Sequence, residues 1–152
     1  MIKGIYCDTQ KRVFAQSTDT QQITTLLNDP KHVFWLDLQH PTGEELTTIA
    51  ELFQLHPLAI EDAGHEHQRP KVEEYEHFLF LVFHTVNLAT DWRGLTTGEL
   101  DIFVGQNYLI TVHNEPMKEL DEAEQRWKRG NAQLEKGVGI LLYSLLDTIV
   151  DR

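Results

Sequence analysis

Short apolar blocks bounded by polar turns fill the first forty positions. Ile2–Cys7 and Val13–Gln16 flank the polar DTQKR, which predicts a β-hairpin, and VFWLDL (Val33–Leu38) predicts a buried strand entering the core. The period then changes from that of strand to that of helix. In TGEELTTIAELFQL, Leu46, Ile49, Ala50 and Phe53 fall on one helical face, and Thr42 with Glu45 three residues on forms a capping box. His56-Pro57 restarts the chain, because proline suits the first turn of a helix, and PLAIEDA supplies about two turns before Gly64 weakens it.

QRP marks the next boundary. From Lys71 to about Leu88 the chain is rich in aromatic and β-branched residues, and FLFLVF is too continuous for a solvent-faced strand, so one long central strand is predicted. ELDIFVGQNYLITVH reads as two strands meeting near Gly105-Gln106-Asn107. After Pro116 the signal is helical: MKELDEAEQRWKR contains no glycine or proline, and GVGILLYSLLDTIVDR carries an apolar stripe after a glycine-rich break. On a helical wheel Leu141, Leu142, Leu145, Leu146, Ile149 and Val150 occupy one half, and Asp147 falls opposite with Ser144 and Asp151. Sheet mixed with helix and followed by helix predicts one α/β (α+β) layered domain over residues 1–152, without internal repeats or linkers.

Charge narrows the partners. Thirteen basic against 24 acidic side chains leave a formal charge of −11, which argues against a nucleic-acid surface and suits cation binding. The single cysteine, Cys7, allows neither an intrachain disulfide nor a thiolate cluster for zinc, and cytosol is the compartment expected. MIKGIYCDTQKR lacks the apolar core of a signal peptide, and the longest apolar runs fall far short of the roughly 20 residues a membrane helix needs.

Catalytic constellations are absent from the sequence. HEH at 65–67 invites zinc, since His65 and His67 would share a face in a strand, but no HExxH spacing follows. No GxSxG and no glycine-rich phosphate loop before a helix occurs, so the chain is not expected to be an enzyme. The carboxylates carry more. Glu61 and Asp62 are consecutive on a helix, about 100° apart, so they serve two directions rather than one chelating pair. They also lie near a helix C-terminus, where acids cost roughly 0.3–1 kcal/mol each unless a cation or basic group offsets them. Asp147 and Asp151 form an i,i+4 like-charge pair, a place that suits magnesium, which takes one or two carboxylates and keeps most of its waters.

HPLAIEDAGHEHQRPKVEEYEHFLFLVFHTV closely resembles a block of the CorA family of divalent-cation transporters, with HPL, the ED pair, HQRPK and an LFLV-type strand in matching order. LDIFVGQNYLITVHNEP is similar to the family's next hairpin, and LLYSLLDTIVDR to the start of its stalk helix. The resemblance runs from Val33 to Arg152 and is loose over the first 30 residues. It implies a cytosolic N-terminal domain, an α/β/α sandwich with a mixed central sheet whose C-terminal helices lead into a stalk helix. The parent would be a homopentamer with two membrane helices and a Gly-Met-Asn pore loop on the cytoplasmic side of which this domain hangs, and the chain is expected to be a truncated piece of it.

The resemblance further implies that Mg2+ or Co2+ binds between neighbouring domains and favours the closed pore. Carried over residue by residue, the metal-binding positions are Glu61, Asp62 and Asp147, with Asp151, His65 and His67 as secondary candidates. Gly64-His65 departs from the family pattern, and histidines suit zinc, cobalt or nickel better than magnesium. A zinc-transporting relative and a free-standing soluble binding or scaffolding module are therefore the alternatives. Gln68, Arg69, Pro70 and Lys71 read as a proline-set strand entry whose basic groups meet nearby acids, and Trp35, Trp92 and Trp127 as packing residues.

Overall fold

The computed structural model describes residues 1–65, 68–88, 95–130, 134 and 136–150, with backbone alone for 86–88 and 95–97. The elements in chain order are β1 (Ile2–Asp8), β2 (Val13–Gln16), α1 (Thr20–Leu27), β3 (His32–Gln39), α2 (Gly43–Phe53) and α3 (Pro57–Ala63). They continue with β4 (Lys71–Glu74), β5 (Leu79–Leu88), β6 (Leu95–Val104), β7 (Tyr108–His113), α4 (Lys118–Arg129) and α5 (Val138–Val150).

One seven-stranded sheet runs in the order β2-β1-β3-β7-β6-β5-β4. β3 and β7 pair in parallel at its centre, with Phe34 opposite Tyr108 and Gln39 opposite His113, and every other pairing is antiparallel. Both central strands are covered on both faces, as their nearly continuous burial requires.

Because side chains alternate along each strand, the sheet feeds two separate cores. Phe34, Leu36, Phe80, Val82, Phe103, Ile110 and Val112 pack with α1, α2 and α3. Trp35, Leu81, Leu100, Ile102 and Leu109 meet Leu120, Ala123 and Trp127 of α4 and Leu141 and Leu145 of α5 on the other face. This is the α/β/α layering expected. Trp35 and Trp127 are buried packing residues, with ring centroids 6.3 Å apart; Trp92 lies outside the described residues.

Local signals account for several boundaries. Thr42 Oγ1 accepts from the Glu45 amide while Glu45 Oε1 accepts from the Thr42 amide, the reciprocal capping box. His56 caps α3, its Nδ1 accepting from the Leu58 amide at 3.1 Å, with Pro57 in the first turn. In the β6–β7 turn a Cβ on Gly105 would stand 2.0 Å from the Tyr108 ring, so only glycine permits that approach.

Three expectations are corrected. The segment Lys71–Leu88 is not one central strand: Tyr75 donates to the Phe78 carbonyl at 2.9 Å, the chain reverses, and β4 pairs back on β5 at the sheet edge. The centre goes instead to β3 and β7, because only their parallel pairing joins the two antiparallel halves. A helix stands at Thr20–Leu27 where only sheet was foreseen; Asp19 caps it by accepting from the Gln21 amide, and Ile23 and Leu26 face the core. The buried stripe of α5 is Leu141, Ser144, Leu145 and Thr148, about one residue step round from the apolar half of the wheel. Ser144 is thus buried rather than opposite the core, and Val150 is exposed. α5 packs against α4 as well as the sheet, and that lateral contact, where Arg126 bonds both Thr148 and Asp147, sets its rotation.

Candidate metal centre

Asp62 sits in the last turn of α3 and is engaged within its own chain. Lys71 Nζ, one strand away on β4, lies 2.8 Å from Asp62 Oδ2 and 3.1 Å from Glu73 Oε1. The hydrogen bond to Asp62 holds the Lys71 ammonium above its ordinary pKa. A basic group of HQRPK therefore offsets the acid at the helix terminus, as its position there demands. Glu61, the preceding residue, is exposed.

Asp147 stands on the far side of the sheet, on α5. Arg126 of α4 reaches it with Nη2 at 2.5 Å and donates through Nη1 to Thr148 Oγ1 at 2.9 Å. Asp62 and Asp147 are both partly exposed, at 39% and 31% of their side chains. The layering keeps them apart, since α3 covers one face of the sheet and α5 the other. Among the described residues no three histidine, cysteine or acidic side chains stand as a ready-made metal cage. Asp151 and His67 lie outside the described residues. His65 follows α3 rather than lying in a strand, with its Nδ1 2.7 Å from the Glu61 carbonyl oxygen.

Gln68 is the hinge pin of this region. Its backbone amide donates to Glu99 Oε1 at 2.8 Å, and its side-chain amide donates to the Asp62 carbonyl at 2.5 Å and the His65 carbonyl at 3.1 Å. The end of α3 is thereby tied to β6.

Beside Asp101 lies a cavity of about 210 Å³ that sequence reasoning missed, lined among others by His65, His84, Glu99 and Asp101. Asp101 is 2% exposed, its Oδ1 has no hydrogen-bond partner, and Gln68 Nε2 approaches Oδ2 only at 3.5 Å. Burial, followed by the nearby Glu99 charge, pushes its pKa up to about 8. Strand alternation could have revealed it, because Glu99 and Asp101 share a face with Phe103, while Leu100 and Ile102 point to the other core. Cys7, fully buried, has its thiol pushed up to about 11 by burial and is no metal thiolate.

Residues 30–152 match the family described as "CorA-like Mg2+ transporter protein". The chain is 34% identical over 119 residues to YfjQ of Bacillus subtilis, covering 78% of this chain and 36% of that protein. It is 27% identical over 140 residues to the cobalt/magnesium transport protein CorA of Thermotoga maritima, covering 90% of this chain and 39% of that one. Its fold is similar to that of the soluble domain of CorA from Methanocaldococcus jannaschii, with a TM-score of 0.70 at 22% identity over 98% of this chain and 55% of that structure. The chain thus spans little more than a third of these two bacterial relatives.

Proposed function

Because the chain belongs to the CorA-like Mg2+ transporter family, we propose that it is the cytosolic regulatory domain of a divalent-cation transporter, with Mg2+ or Co2+ bound between neighbouring subunits favouring the closed pore. Transport, the membrane part, the homopentamer and a place at the cytoplasmic side of the cell membrane all belong to this proposal. No helix among the described residues is long and apolar enough to cross a membrane. The chain would act by binding an ion rather than by catalysis.

One observation carries the reading: Asp62 and Asp147 project from opposite faces of one sheet, so they can share an ion only across two copies of the chain. An ion between α3 of one copy and α5 of the next would take about one carboxylate from each and keep most of its water. In its absence Lys71 and Arg126 hold the acids. Partly exposed pairs of this kind contribute about 0–1 kcal/mol, so a divalent ion can displace them. An ion bound only in the closed assembly stabilises it as its concentration rises, and empty acids loosen it when it falls.

Calorimetry on the assembled membrane protein tests this. Asp62→Ala and Asp147→Ala are each expected to weaken Mg2+ and Co2+ binding, and unchanged binding in both would sink the assignment. His65, beside α3 and lining the polar cavity, favours a zinc-handling relative as the second reading. Zn2+ competing for the same sites with Mg2+ in large excess would select it.

A further inference from the structure

The cavity lined by His65, His84, Glu99 and Asp101 takes in none of the acids Glu61, Asp62 and Asp147. Glu99 and Asp101, two apart on β6, face the same way, and His84 is the cross-strand partner of Glu99 on β5. His65 approaches the same cavity from the end of α3. Asp101 Oδ1 is buried without a donor in a strand that otherwise buries Leu100, Ile102 and Phe103. An unpaired buried carboxylate is costly, and a bound cation is one way to offset that cost.

His65 is prepared in the same sense. His65 Nδ1 lies 2.7 Å from the Glu61 carbonyl oxygen, so the proton it donates there leaves Nε2 as a lone pair. His84 Nε2 lies 2.6 Å from the Gln68 carbonyl oxygen and 3.6 Å from Glu99 Oε1, so the nitrogen it turns toward Glu99 carries the proton and His84 stands beside the acids as a donor. A ring nitrogen donating to a backbone carbonyl while the other binds metal is the usual outer-shell arrangement of a ligating histidine. The cavity, about 210 Å³, has room for an ion and several waters at about 30 Å³ each.

We propose that this cavity binds one divalent transition-metal ion of the Zn2+, Co2+ or Ni2+ class through Asp101, Glu99 and His65, with His84 beside them. Mixed imidazole and carboxylate donors select such ions over magnesium. Since no three of the described donors form a ready cage, binding draws exposed His65 toward Asp101. The ion would then bridge β6 to the end of α3, the helix that carries Glu61 and Asp62. All of its donors belong to one chain, so it stands or falls apart from the interface site.

The test is titration of the 152-residue chain with Co2+, read by the visible absorption of bound cobalt and by equilibrium dialysis, with Mg2+ as the control. One Co2+ per chain is expected, displaced by Zn2+ and little affected by Mg2+. Asp101→Asn and His65→Ala should each weaken it by about tenfold or more, whereas Asp147→Ala, on the other face of the sheet, should leave it unchanged. Absence of stoichiometric Co2+ and Zn2+ binding up to about 1 mM, or affinity unchanged in Asp101→Asn and His65→Ala, overturns the proposal. Loss of binding in Asp147→Ala overturns it too, because the ion would then sit at the interface acids. Asp101→Asn preserves volume and removes the buried charge; if it fails to fold, His65→Ala at its exposed position decides alone.

Discussion

Replacing His113 by glutamine tests the polar seam that joins the two halves of the sheet. His113 ends β7 and is 5% exposed, with Nε2 2.9 and 3.0 Å from the two Asp37 oxygens of β3 and Nδ1 2.6 Å from the Glu115 carbonyl oxygen. Asp37 Oδ1 also accepts from Thr111 Oγ1 at 2.5 Å, and that hydroxyl accepts from Trp35 Nε1 at 3.0 Å. Both ring nitrogens face acceptors, so the imidazolium satisfies the site and the neutral ring cannot. Burial opposes the charged form, but hydrogen bonding and charge from Asp37, with the Glu115 carbonyl, outweigh it and raise the pKa.

Removing one partner of a buried pair typically costs about 3–5 kcal/mol. The Asp37 side chain is 22% exposed and keeps Thr111, so about 2–3 kcal/mol is expected at pH 6. With a urea slope of about 2 kcal/mol per M, the unfolding midpoint falls by about 1–1.5 M, followed through buried Trp35 and Trp127. The sign with pH follows from the raised pKa. Stability from His113 is fully present below the unfolded value of about 6.5 and is lost as pH rises through the folded value, so the gap between wild type and variant narrows toward pH 9. A shift under about 0.3 M at pH 6, or a gap that does not narrow, would refute the imidazolium seam.

In metal-free buffer Asp101→Asn should raise stability at pH 8 by the order of 1–3 kcal/mol and flatten its decline between pH 5 and 8. The wild-type carboxyl titrates near 8 when folded against 3.8 as its ordinary value, so its contribution is full at low pH and lost as pH rises; urea melts at both pH values check this. Gly105→Ala places a Cβ 2.0 Å from the Tyr108 ring, which itself packs on Phe53 with centroids 4.9 Å apart. A loss of about 1–3 kcal/mol, read as a Tm lower by several degrees, is expected. Gln68→Ala removes the donors to the Asp62 and His65 carbonyls, costing about 1–2 kcal/mol. Hydrogen exchange should then accelerate in the last turn of α3, and unaltered exchange there would contradict the tie to β6.

Much of this architecture was legible in advance because its signals are local. The capping box of Thr42 and Glu45, Pro57 at the start of α3 and the glycine turn between β6 and β7 each act through neighbours within a few residues. α1 escaped because half of TQQITTLL is β-branched, and its stability comes from Ile23 and Leu26 packing on the sheet and from Asn107 donating to the Leu27 carbonyl at 3.0 Å. The meeting of Lys71 with a nearby acid, which is Asp62, was legible in the same way.

Sequence by itself therefore determined the period of most elements, the capping box of α2 and the family, since each is written in residues near one another along the chain. Tertiary structure alone decided the rest. The parallel pairing of β3 with β7 placed α3 and α5 on opposite faces and so separated Asp62 from Asp147. The pairing of β5 with β6 set His84 opposite Glu99, and the return of Gln68 placed its amide on the Glu99 carboxylate. His84 with Glu99, Gln68 with Glu99 and Phe34 with Tyr108 stand 15, 31 and 74 positions apart, and their register depends on which strands share an edge, a choice made by burying two cores at once rather than by any local pattern.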